Sequence, residues 1–445
     1  MSQKTRTILF YIFVFLFFIL TPTISFYASG YKLGSGMNLE KTGILIVDTE
    51  PESASIYING EIQQDFVSKM LKANKGYLTT PQKIKNLLPG EYTIKMEKDG
   101  YWPWEKRLAI KPGESTFAED VVLFKKSLPI LVNGANSNNN QILSDKNNII
   151  YINDENLVVS KDENIFSQKL AQKISVPGLL SPEKNKIITG NYIYNLYENN
   201  STPLSLDKLL GSKAQNVQWG ENDNEILFLN NGSLYLFNIS NNQTASINSS
   251  KNSQAYLVKK GYIYNIANNA TGSELEVIES SKNEIIKKIS LPNSEYAFLN
   301  IDNELINLFD AEHQILYLVN PLAPFKPLQE TITGIKYSFW LNDSIMIYAN
   351  DFEIWSYDAR SSQKTLLTRI SQPIKSVMAH PDENYIIFST GNDINILELD
   401  DREHYNITKI LEIEKLENLK INKDGNAIYF SAKIGNQEGL FKLEI

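Results

Sequence analysis

Imidazoles are scarce in this chain of 445 residues: His313, His380 and His404 are the only three. A metal site needs several such ligands converging, and these fall in separate stretches, so only long-range folding could bring them together. His380 stands in a polar turn and is expected to face solvent. His404 stands in the acidic, polar stretch 400–406. Cysteine is absent, which excludes disulfides, thiolate metal sites and a cysteine nucleophile. The sequence holds no Gly-x-Ser-x-Gly elbow, no His-Glu-x-x-His helix and no glycine-rich phosphate loop. Carboxylates are plentiful, and a pair of them could hydrolyse a glycosidic bond. Those in turns have a simpler use, accepting hydrogen bonds from turn amides. The runs Asp302-Asn303-Glu304 and Asn222-Asp223-Asn224-Glu225 offer oxygen ligands for calcium but lack the twelve-residue EF-hand spacing. No catalytic, cofactor-binding or metal residue is assigned from this pattern, no cofactor is expected, and the ligand-binding residues stay unassigned.

The elements that would position any site are easier to read. A polar turn running into three or four apolar residues recurs from Ser144 onward, opening at Ser144, Ser181, Gly220, Lys259, Asn300, Leu341, His380 and Asn422. The steps are 37 to 42 residues. A period near forty built of short strands predicts a β-propeller with one four-stranded blade per repeat. One blade cannot bury both of its faces, so the copies must pack around an axis. The length from Pro129 onward suits eight blades, or seven if the weakest copy, at Lys259, is irregular. The final copy stops short at Ile445, and a strand near 128–132 is expected to complete it and close the ring.

The N-terminus reads differently. Residues 8–29 carry no charge, and Lys4 and Arg6 precede them. That is about one bilayer of helix, since a span takes roughly 20 apolar residues. The basic flank predicts a cytoplasmic N-terminus with the bulk of the chain outside. Pro22 is tolerable in a membrane helix. Ala28-Ser29-Gly30 also fits a signal-peptidase site, so a retained single-pass anchor and a cleaved signal are both open. The net charge of −8 gives no general attraction to nucleic acid.

Between anchor and repeats lies a small β-unit. Ile44-Leu45-Ile46-Val47 and Ala54-Ser55-Ile56-Tyr57-Ile58 read as strands, the second ending at the hairpin signal Asn59-Gly60. Pro89-Gly90 leads into a third, Asp99-Gly100 ends it, and two more follow. Five or six short antiparallel strands predict a small sandwich. Tyr92, Tyr101, Trp102 and Trp104 are read as its core rather than as a sugar platform. Phe66, Val67, Met70 and Leu71, inside an insert, have the spacing of a short surface helix.

Thr49-Glu50-Pro51-Glu52-Ser53-Ala54, Ile56-Tyr57-Ile58-Asn59-Gly60, Thr80-Pro81, Leu88-Pro89-Gly90-Glu91-Tyr92 and Asp99-Gly100-Tyr101 resemble the PEGA domain in order and spacing. Ser53 stands where that family has Gly, and the insert before Thr80-Pro81 is long. The resemblance implies a non-catalytic module of bacterial or archaeal surface proteins. The repeats, with Ser181-Pro182-Glu183 and Asp424-Gly425, are similar to TolB and WD40-like propellers. The expected organisation is a tip and anchor over 1–30, a linker over 31–42, a PEGA-like sandwich over 43–126 and a propeller over 127–445. The expected function is non-enzymatic: a membrane-anchored extracytoplasmic scaffold binding an envelope protein or cell-wall polysaccharide. The alternatives are a glycan hydrolase or lyase using carboxylates at the channel mouth, and a purely structural envelope component.

Overall fold

The computed structural model describes the chain except for residues 1–2, 35–37, 66–67, 69–74, 135–140, 145–147, 153–155, 162–163, 173–177, 200, 212, 271, 300–303 and 415. The expected insert helix at Phe66, Val67, Met70 and Leu71 lies outside the described residues, as do Asn300, Asp302 and Asn303. The chain divides into two compact units, 1–127 with 400–405, and 128–399 with 406–445.

The first unit opens with helix Gln3–Ala28. Its segment Thr5–Ala28 has mean hydropathy 2.4, and none of its most apolar stretch is buried against the fold. At 1.5 Å per residue the helix is about 39 Å long, enough to cross a hydrocarbon core. Pro22 lies inside it, and the Thr23 hydroxyl donates to the Ile19 carbonyl at 2.8 Å one turn back.

Among the described residues, Tyr31–Leu33 and Leu39–Lys41 pair as a small ribbon after the helix, and two larger sheets follow. Gly43–Glu50 lies between Gln82–Leu87 and Ser115–Val122; the second sheet runs Glu61–Ile62, Ser55–Ile58, Gly90–Glu97, Trp104–Ile110. Alternate residues of each strand turn inward, so Leu45, Val47, Ile56, Ile94, Met96, Trp104 and Leu108 share one core. The sequence predicts antiparallel strands throughout, and the structure differs at one pair. Gly43–Glu50 and Ser115–Val122 run parallel, because the chain between them crosses to the other sheet and back before Ser115–Val122 takes its place beside Gly43–Glu50. Asn59 and Gly60 both take positive φ, as a two-residue hairpin turn requires.

The second unit is a β-propeller built from four-stranded antiparallel sheets. Among the described residues, eight follow in order: 141–169, 179–205, 215–246, 253–291, 296–333, 337–369, 376–412 and 416–444, the last gaining Ile130–Gly134 as its fourth strand. Ile130 pairs with Lys442 and Leu131 with Phe441; past a bulge at Val132, Asn133 pairs with Leu440 and Gly134 with Gly439. The N-terminal strand of the unit thus completes the C-terminal sheet, two residues further along than the expected 128–132.

Both faces of these sheets are buried, which explains the continuous apolar runs. Ile187 packs toward the first sheet with Ile150 and Tyr194, while Ile188 packs toward the third with Trp219 and Phe228. Leu227 and Leu229 face the fourth sheet, alongside Tyr256 and Ile263. Tyr151 and Leu440 join the first sheet to the last, closing the ring. The copy at Lys259 is not the weak one. Its sheet has the longest strands, up to eight residues each, and a tight turn with positive φ at Lys260 and Gly261 replaces the usual Asn-rich loop. Long strands supply the pairing that the turn pattern alone did not advertise.

Candidate functional site

Antiparallel order fixes where loops emerge. In each sheet the first-to-second and third-to-fourth turns share one rim, and the second-to-third turn and the connection onward share the other. All the repeat-opening turns described therefore lie on a single rim. Their polar side chains fasten that rim together. Asp223 is 4% exposed; its Oδ1 accepts from the Glu183 amide at 2.8 Å, and its carbonyl accepts from Lys186 Nζ at 3.1 Å. Glu221 accepts from the Gly261 amide in the next turn. Other turn residues act locally, as expected: Asn342 Oδ1 accepts from the Ser344 and Ile345 amides, and Asn422 Oδ1 from the Ala427 amide.

His380 departs from its expected exposure. It is 6% exposed, with Nε2 3.0 Å from the Gly425 carbonyl in the next sheet and Nδ1 2.8 Å from Asp382 Oδ1. Tyr385 packs edge-on against the ring. The turn is pulled under the neighbouring turn, so the imidazole is a clasp. His313 sits in a second-to-third turn on the other rim, beside Asp310, and His404 belongs to the first unit. His313 and His380 lie on opposite rims and do not meet. Among the described residues, no group of three or more His, Asp or Glu could hold a metal. In the Asn222–Glu225 run, Asp223 Oδ1 accepts from the Glu183 amide, fastening the turn.

Glu276 and Asp310 are among the carboxylates buried within single sheets. Glu276, fully buried, accepts from Asn265 Nδ2 and the Ser250 amide at 3.0 Å each, from the Ser250 hydroxyl, and pairs with Lys288 at 2.8 Å. Burial pushes its carboxyl up, but the bonds from Lys288, Ser250 and Asn265 together outweigh it and hold the group below its ordinary range. Asp310 is treated the same way: burial raises it, and Ser294 with His313 more than reverses this. Each is fully occupied in joining strands and connections.

The turn rim carries a recess of about 810 Å³, lined by Lys259, Lys260, Lys326, Glu304, Asp343 and Tyr357 among others. Lys260 and Glu304 pair at 3.7 Å, both well exposed. Polar and apolar side chains share the lining of the recess.

In the first unit, Tyr92, Tyr101 and Trp104 pack on the core, and the Tyr92 hydroxyl reaches the Leu88 carbonyl at 2.9 Å. Trp102 instead lies beneath Lys126, 5.0 Å from the ring centre. Sequence reasoning missed Lys106. It occupies a core-face position between Trp104 and Leu108 yet is 1% exposed, bonded to the Asp400 carbonyl at 2.7 Å and paired with its carboxylate at 3.3 Å. Arg107 pairs with Glu403 at 3.1 Å, so 400–405 is tied into this unit by charge. The strict alternation of Trp-Glu-Lys-Arg-Leu-Ala-Ile is the signal that could have found Lys106.

No protein-family model and no curated protein matches the sequence. Solved structures do resemble the fold. The C-terminal WD40 domain of Sif2 is 14% identical, with TM-score 0.48 over 72% of this chain and 99% of that one. The Dos1 propeller is 11% identical, with TM-score 0.49 over 72% and 95%. A eukaryotic initiation factor structure is 10% identical, with TM-score 0.49 over 72% and 87%. The assignment to the propeller class rests on this chain's own sheet order and closure.

Proposed function

We propose that this protein is a membrane-tethered, extracytoplasmic interaction scaffold of the bacterial envelope. Its eight sheets are the blades of a closed ring that recognises a protein or a cell-wall glycan. The PEGA-like sandwich serves as spacer or second contact. One observation carries this reading: a bilayer-length helix whose most apolar stretch is unburied is on the same chain as a ring closed by its own first strand. A closed ring is rigid and presents short turns on two rims, which suits recognition. The helix, if retained, would restrict that recognition to a membrane surface and raise its effective concentration there.

Photo-crosslinkers at Glu304 on the turn rim and at Asn392 on the opposite rim, in intact cells, test it. The expected result is one dominant adduct, protein or peptidoglycan, from one rim only. A diffuse ladder from both rims would leave a purely structural component as the better account.

A further inference from the structure

The loop joining the third and fourth strands of the fifth sheet reads Asn320-Pro321-Leu322-Ala323-Pro324-Phe325-Lys326-Pro327. Its three prolines fix φ and limit what the loop can do. The Asn320 amide donates to the Pro327 carbonyl at 2.8 Å, the Ala323 amide to the Asn320 carbonyl at 3.1 Å, and Lys287 Nζ to the Ala323 carbonyl at 2.5 Å. On this braced frame Phe325 is 96% exposed, the most exposed large apolar side chain among the described residues, with Leu322 at 47% and Leu328 at 43% beside it. A rigid projection holding an aromatic ring in water is a convex wedge. It is not a groove.

The surrounding charge favours an anionic surface. Lys326 follows the ring, Lys287 braces the loop, and Lys259 and Lys260 line the adjoining recess, against Glu304 and Asp343. Glu330, just beyond the loop, is engaged by Lys364 at 3.3 Å. We propose that this loop inserts into the headgroup region of the bilayer that tethers the chain, with Phe325 and Leu322 at the acyl boundary and the lysines over anionic headgroups. The inference rests on the tethered reading above. One ring and two leucines bind lipid weakly on their own, but a tether supplies an effective concentration on the order of millimolar, where weak contacts are occupied. It leaves the opposite rim for the partner.

The chain has no cysteine, so single-cysteine labelling is unambiguous. Full-length protein carrying Leu322→Cys or Asn392→Cys, each labelled with an environment-sensitive dye, is reconstituted into phosphatidylcholine vesicles with and without phosphatidylglycerol. Lipid-attached nitroxides are expected to quench the label at 322 several-fold more than that at 392. That difference should shrink several-fold on Phe325→Asp and without phosphatidylglycerol. Protein that floats with the vesicles but keeps a water-exposed label at 322 overturns the wedge alone. Equal quenching at both positions overturns it too, and so does protection that appears only on adding a cell-extract protein. Quenching unaffected by phosphatidylglycerol removes the anionic headgroups from the proposal. Protein that fails to float overturns the tether and the wedge with it.

Discussion

Glu276 and Gly425 show what single residues do in this ring. The carboxyl of Glu276 sits below its ordinary value of 4.5 in the folded chain. A depressed carboxyl contributes stability above its unfolded pKa, and that contribution is lost as pH falls through the folded value. Glu276→Gln should therefore cost about 1–3 kcal/mol at neutral pH, with the gap to the parent closing in melts taken below the ordinary carboxylate range. A gap constant across pH would mean the network carries no charge. Gly425 has φ +72°, and a Cβ there would come within 2.6 Å of the buried His380 ring. Gly425→Ala should cost roughly 1–3 kcal/mol from strain and crowding. His380→Ala in the same chain should relieve the crowding part, so the double mutant should fall short of the two losses summed. Strict additivity in thermal melts would show that the imidazole is no clasp.

At the scale of elements, the strand Ile130–Gly134 stands farthest from its partner in sequence. Its pairing with Gln437–Glu444 reaches across the whole unit. Replacing 130–134 by a Gly-Ser segment of equal length removes the ladder without shortening the chain. Losing a few kcal/mol in a unit this size lowers the melting temperature by roughly 5–10 °C. Unchanged melting would mean the ring holds without its closing strand. Strand Trp104–Ile110 offers a sharper case. Removing one partner of a buried ion pair costs about 3–5 kcal/mol. Asp400→Ala should thus destabilise the first unit strongly, and Asp400→Ala with Lys106→Met should recover much of the loss.

These elements also mark what the sequence could reveal. Turn-and-strand copies are local, and both sheet faces bury apolar residues, so the pattern survives in the primary structure. The role of His380 depends on a glycine carbonyl one sheet away. The pairing of Lys106 depends on residues nearly 300 positions on. No periodicity encodes such partners. Likewise the parallel pair Gly43–Glu50 with Ser115–Val122 is a matter of which strands end up adjacent, and turn signals predict only antiparallel neighbours.

For the whole molecule, the decisive element is the helix Gln3–Ala28. If it spans a bilayer, the protein should stay in the pellet after alkaline carbonate extraction, and the intact mass should retain the N-terminal residues. A cleaved signal predicts release and a mass lacking the segment up to about residue 30. Arginine near the centre of a span costs about 2.5–3.5 kcal/mol on insertion scales. Phe13→Arg with Leu16→Arg should therefore move the protein from the membrane to the soluble fraction while leaving the melting of the ring unchanged, since these side chains are exposed and pack on nothing in the fold. Orientation follows from a cysteine at Asn392, which a membrane-impermeant thiol reagent should reach in intact cells. Labelling only after lysis would place the ring in the cytoplasm and remove the envelope partner, because a scaffold on the inner side cannot touch the wall.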